Sequence, residues 1–158
     1  MYSWGSDPQK NREVLLPMKF GEILLNQYRS RPLWMNGLLF FCGYMTFIYL
    51  PWDIFLKPLT DDQEVWFGIM FTGWAAKGGA ILHWLVYGAG TYGFIKMKSW
   101  MHPWAEAYVL QIAFSMFIWS YMNSEDSTAG IVGGLVSAAL FFGLAAMLWR
   151  ARLRFTDD

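Results

Sequence analysis

Four apolar blocks between Leu33 and Trp149, each about the ~20 residues that cross a hydrocarbon core, constrain this chain more than anything else in it. Charged residues make up 15% of the 158 residues and hydrophobic ones 56%, and the charge is concentrated between the blocks. A helix that is apolar around its whole circumference cannot face water. The expected fold class is therefore an all-α integral membrane protein, a four-transmembrane-helix bundle. An N-terminal interfacial helix precedes it, and an outer-face interfacial or re-entrant segment precedes the second crossing.

The expected boundaries follow from the punctuation. Residues 1–32 form a cytoplasmic amphipathic arm, with Val14, Leu15, Leu16, Met18 and Phe20 interleaved with polar residues. The membrane domain covers 33–149, with crossings at about 33–50, 80–97, 100–122 and 128–149. Residues 150–158 are a cytoplasmic tail. Pro51 ends the first crossing, because proline inside a helix removes a hydrogen bond and clashes with the preceding turn. Asp61 and Asp62 are placed to cap the next helix. No cleavable leader pattern is read in the first 30 residues, so the first crossing is expected to serve as a signal anchor.

The stretch from Glu64 to Lys98 holds seven glycines and admits two registers. A single helix from Val65 to Ile95 would be about 45 Å long, well beyond a ~30 Å core, and would put Lys77 near mid-membrane. Alternatively, 64–76 is an interfacial or re-entrant helix, Lys77-Gly78-Gly79 is a turn, and the crossing begins at Ala80. The second register is preferred, since a lysine at the bilayer centre costs at least ~2.5–3.5 kcal/mol.

Sidedness follows from charge. Ten of the twelve Lys and Arg residues lie in the arm, at 96–98, or in the tail. The other two loops carry Asp53, Asp61, Asp62, Glu64, Glu125 and Asp126. The positive-inside rule puts both termini in the cytoplasm, in a multi-pass protein of a cell inner membrane.

Candidate ligand-binding residues are the polar and aromatic side chains within the crossings. His102 and Glu106 are four apart and share a helix face, but they lack the companions a metal site needs. Glu106, about two turns inside, must pair, meet water or stay protonated. His83 and Gln111 are expected at similar depth, within reach of each other, and His83 is of a type that ligates tetrapyrrole metals. Tyr92 is a partner for Glu106, and Trp84 belongs to a possible aromatic pocket. Gly130, Gly134 and Ala138, together with Gly88, have the small-residue spacing that lets helices approach closely in lipid. Cys42 reads as a small buried hydrophobe.

No phosphate loop, nucleophile elbow, HExxH or CxxC occurs, and no catalytic residue or metal site is assigned. The zero net charge gives no general field for nucleic acid. The function expected first is a non-enzymatic accessory, assembly or scaffold subunit, in contact with lipid and with other membrane subunits or its own copies. The alternative is a bundle holding a lipid, quinone or tetrapyrrole between helices 2 and 3. Third comes a membrane enzyme or proton-coupled carrier using Glu106, with Lys77 or His102 as its partner.

Overall fold

The computed structural model describes residues 28–29 and 31–156; the amphipathic arm expected before Tyr28 lies outside them. The chain divides into two compact units, Met1–Asn36 and Gly37–Asp158. In the first, the Asn36 side-chain amide donates to the Tyr28 carbonyl at 2.8 Å. Pro32 stands at the entry to the first helix, where its carbonyl accepts from the N–H groups of Met35 and Asn36.

Of the described residues 79% are helical, and four long helices run among them. They are α1 (Leu33–Phe55), α2 (Trp74–Lys96), α3 (Met101–Asn123) and α4 (Ser127–Arg150). Each has 23 or 24 residues, or about 35 Å at the helical rise, enough for a ~30 Å core. Helices α1 and α4 are apolar enough over that length to cross a membrane, and in their apolar windows only 17% and 22% of residues are buried. A core helix of a water-soluble protein would hide most of its apolar side chains, whereas these turn them outward.

Pro51 does not end α1. The helix passes through it by opening into a π-turn at Met45–Tyr49. The Leu50 N–H reaches back to the Met45 carbonyl, which leaves the Thr46 carbonyl to a five-residue bond from position 51, where proline has no N–H. The indole of Trp84 on α2 supplies the missing donor, with Nε1 2.7 Å from the Thr46 carbonyl oxygen. A helix irregularity is thus satisfied from a neighbouring helix.

The segment before α2 departs most from expectation. It is not an interfacial helix but a β-hairpin, β1 (Gln63–Trp66) paired antiparallel with β2 (Ile69–Thr72). Phe67 and Gly68 make the two-residue loop at φ +51° and +81°, the doubly positive geometry that suits the strand twist. Asp62 therefore precedes a strand and caps no helix. Gly73, at φ +60°, turns the chain into α2, a conformation that favours glycine. Lys77, Gly78 and Gly79 are helical rather than a turn, because α2 begins at Trp74.

Close packing between α3 and α4 rests on small residues. A Cβ at Gly134 would stand 2.9 Å from Phe117 Cδ2, and one at Gly130 would stand 2.9 Å from the Ser120 carbonyl oxygen. Ala138 is buried on the same face of α4, so the small-residue stripe is used within the chain. Gly88 lies against Thr46 of α1, with its Cβ position 3.7 Å from the threonine methyl. Asp126 caps α4 by accepting from the Thr128 N–H at 2.8 Å.

Candidate functional site: an apolar cavity below a polar cap

The hairpin forms one end of the Gly37–Asp158 unit. Its tip rests on α3: Phe67 N–H donates to Ser115 Oγ at 3.0 Å, and the Gln111 amide donates to the same oxygen at 2.9 Å. Gly68 is pressed so closely to Ile118 that a Cβ there would overlap the isoleucine side chain. Trp66 lies on α2, where a Cβ at Gly79 would be 2.6 Å from its Nε1.

Beside the hairpin, four charged side chains from three segments meet. Lys77 Nζ is 2.9 Å from Asp62 Oδ2, and it also donates to the backbone carbonyls of Asp53 and Lys57. Lys57 Nζ is 3.0 Å from Asp53 Oδ1 and 3.3 Å from Asp62 Oδ1. Asp62 is completely buried, and Asp53 and Lys77 nearly so. Two cations and two anions thus compensate each other where none could stand alone. Burial opposes charge on Asp62, but hydrogen bonds from Lys77 and Lys57 and the proximity of both outweigh it and hold the carboxyl below its usual range. Burial likewise opposes charge on Lys57, and the hydrogen bonds and charges of Asp53 and Asp62 outweigh it and raise its pKa.

A column of polar and aromatic groups descends from this cap. His83 Nδ1 is 3.3 Å from Glu64 Oε2 on β1, and its ring stacks on Trp66 with centroids 4.4 Å apart and planes 9° from parallel. One turn further along α2 is Tyr87. Its ring stands edge-on to Tyr108 of α3, with centroids 5.9 Å apart.

Below that pair opens a cavity of about 410 Å³, within the range of small-molecule sites. All four helices contribute, through residues such as Phe41, Gly90, Trp104 and Phe141. The lining occupies 38–42 of α1, 86–94 of α2, 100–112 at and within the start of α3, and 141–148 of α4. It therefore lies in the half of the bundle next to the α2–α3 turn, away from the hairpin. Every lining side chain other than the two tyrosines is hydrocarbon, aromatic or sulfur-bearing. Such a lining suits an apolar guest.

None of the ligand-binding residues expected from the sequence lines this cavity. His83 and Gln111 are not joined, because the first is held by Glu64 and Trp66 and the second by Ser115. Trp84 serves the α1 π-turn. Tyr92 is half-exposed on α2. His102 and Glu106 do meet, with Nδ1 to Oε1 at 2.8 Å. Glu106 is buried, with Oε2 lacking a hydrogen-bond partner, and the His102 ring stands edge-on to Trp149 at 5.0 Å. Among the described residues no group of three or more His, Cys, Asp or Glu side chains converges as a metal site would require.

Sequence reading passed over Tyr87 and Tyr108, whose signal was a hydroxyl in the middle of an otherwise apolar helix. It also missed the four-charge cluster, of which only the four-residue spacing of Asp53 and Lys57 is visible locally. None of the protein families, curated proteins or solved structures compared with the chain matches it.

Proposed function

We propose that this chain is a small integral membrane protein that holds one lipid-like apolar molecule between its helices. In this reading it crosses a cell inner membrane four times, with both termini cytoplasmic. The observation that carries the proposal is the cavity of about 410 Å³, to which all four helices contribute and whose lining is almost wholly apolar. An apolar lining of that character favours hydrocarbon over water. The outward apolar faces, such as Ile131, Val132, Leu135, Val136 and Leu140 on α4, are what acyl chains would cover.

The accessory-subunit reading draws on the sparse ionisable residues and on small-residue faces that could pack within the bundle or against another subunit. Those faces are engaged between α3 and α4 and between α1 and α2, which favours the binding reading over it. A tetrapyrrole fits less well than a single chain, since His83 is already engaged by Glu64 and stacked on Trp66. Catalysis gains no support from the isolated His102–Glu106 pair.

The test is purification from native membranes in mild detergent, followed by native and denaturing mass spectrometry. One apolar molecule per chain is expected, and it should be lost in Ala105→Phe, which fills the cavity from α3. A chain that carries nothing, or an Ala105→Phe variant that retains the same molecule, would overturn the proposal.

A further inference from the structure

Resting on that cavity reading, we infer that the resident molecule is an anionic phospholipid, with one acyl chain in the cavity and its phosphate at the end of the bundle that carries the α2–α3 turn. Beyond the kink at His102 the lining runs along α3 from Trp104 to Ile112, and along α2 from Val86 to Phe94, about 12 Å in each case at the helical rise, against about 15 Å for one leaflet of a ~30 Å core. The cavity therefore fits within a single leaflet, at the end of the bundle that carries the α2–α3 turn.

That end is basic. Lys96 and Lys98 flank the turn, and Arg150, Arg152 and Arg154 follow the last lining residue of α4. The two groups are tied together. Thr156 N–H donates to the Met97 carbonyl at 2.7 Å, and Phe155 packs against Phe94, itself in the lining, at 6.0 Å. Arg152 stands over Trp149 at 5.1 Å and donates to its carbonyl, while Lys96, Arg150 and Arg154 are exposed. Of residues 37–156, Glu106 is the one acid in this half of the helices, and it is buried against His102. The terminal Asp157 and Asp158 lie outside the described residues.

Membrane topology alone would put cations at this end. It does not by itself place an apolar cavity at that same end of the bundle. Basic pockets between transmembrane helices on the cytoplasmic side are suited to anionic headgroups, and arginine matches phosphate oxygens in a bidentate fork. The opposite end offers no such site, because Lys57 and Lys77 are already matched by Asp53 and Asp62.

The experiment titrates the delipidated full chain, in detergent, with phosphatidylglycerol, phosphatidylcholine and diacylglycerol of identical acyl chains, and with inorganic phosphate, read by native mass spectrometry. One phosphatidylglycerol should bind at least about tenfold more tightly than the other two lipids. In the triple variant Lys96→Gln, Arg150→Gln, Arg154→Gln that preference should fall below about threefold while diacylglycerol still binds. Ala105→Phe should remove all three lipids. Equal affinity for the three lipids would overturn the inference and leave the cavity reading standing. Phosphate binding as strong as the lipid's and unaffected by Ala105→Phe would assign the cations to a free anion instead. Failure of every lipid, diacylglycerol included, would sink the cavity reading itself.

Discussion

At the scale of single residues, Lys77 bears the heaviest constraint. A lysine placed one turn into an apolar helix is tolerable here because Asp62 and two backbone carbonyls receive all three of its donors. Lys77→Met leaves Asp62 buried beside Lys57 alone, and a loss of about 3–5 kcal/mol is expected, seen as a lower melting temperature in detergent. Lys77→Met combined with Asp62→Leu should recover part of it, because the two apolar side chains no longer strand a charge. The same cluster sets a pH window. Asp62 has a lowered pKa, so its contribution is complete above the unfolded value of about 3.9 and fades as pH falls through the lower folded value. Lys57 has a raised pKa, so its contribution is complete below about 10.4 and fades as pH rises through the higher folded value. Thermal melts should be flat between those limits, and Asp62→Asn should remove most of the acid limb. Trp84 offers a second residue-scale test. Trp84→Phe keeps the ring against Phe55 but strands the Thr46 carbonyl, for an expected loss of about 1–3 kcal/mol, read by the same melt.

At the scale of elements, the hairpin turns on Gly68. An alanine there meets both the positive φ and the side chain of Ile118. Gly68→Ala should therefore cost about 1–3 kcal/mol and open residues 62–73 to limited proteolysis while α4 stays protected. In α4, Gly134→Leu should push α3 and α4 apart and lower stability by about 1–3 kcal/mol; size-exclusion chromatography should show an unchanged oligomeric state, since that face meets α3 rather than another copy. The α3 and α4 spans were legible in the sequence to within a residue at each end, whereas α1 runs on to Phe55 instead of ending near 50 and α2 starts at Trp74 instead of 80. The hairpin was not legible. Its run VWFGIMFT is short, apolar and rich in aromatic side chains, a pattern that periodicity cannot assign to strand or helix. Its turn is Phe-Gly rather than the usual Asn-Gly. Nor was the passage through Pro51, because it depends on an indole from a helix more than thirty residues away.

At the scale of the whole molecule, the site was less readable than the elements. The sequence singled out the rarest polar side chains, His83, Glu106 and Gln111, and each is satisfied or enclosed away from the cavity. What surrounds the cavity is common residues such as Ala105, Gly90 and Phe141, which acquire meaning only when four helices meet. The proposed topology has its own check at this scale. Cysteine placed at Lys57 or Ser124 in a chain whose Cys42 is replaced by alanine should react with an impermeant thiol reagent from outside the cell, and cysteine at Lys98 only from within. Labelling of Lys98 and Lys57 positions from one side would overturn the four-crossing arrangement.

The two ends of this bundle are built to different mechanical standards. At one, a hairpin and four interlocked charges clasp the Gly37–Asp158 helices like the spring of a clothes-peg. At the other, the jaws meet around the apolar cavity, with the α2–α3 turn and the C-terminal segment tied at Met97 and Thr156. A peg opens at its jaws while its spring stays closed. Under the proposed function, exchange of a guest chain would need only a sideways parting of the helices at the basic end, with no unfolding of the hairpin. Backbone amides of β1 and β2 should accordingly exchange hydrogen slowly whether the cavity is filled or not, and those around Trp100 and Trp149 should slow when a chain is bound.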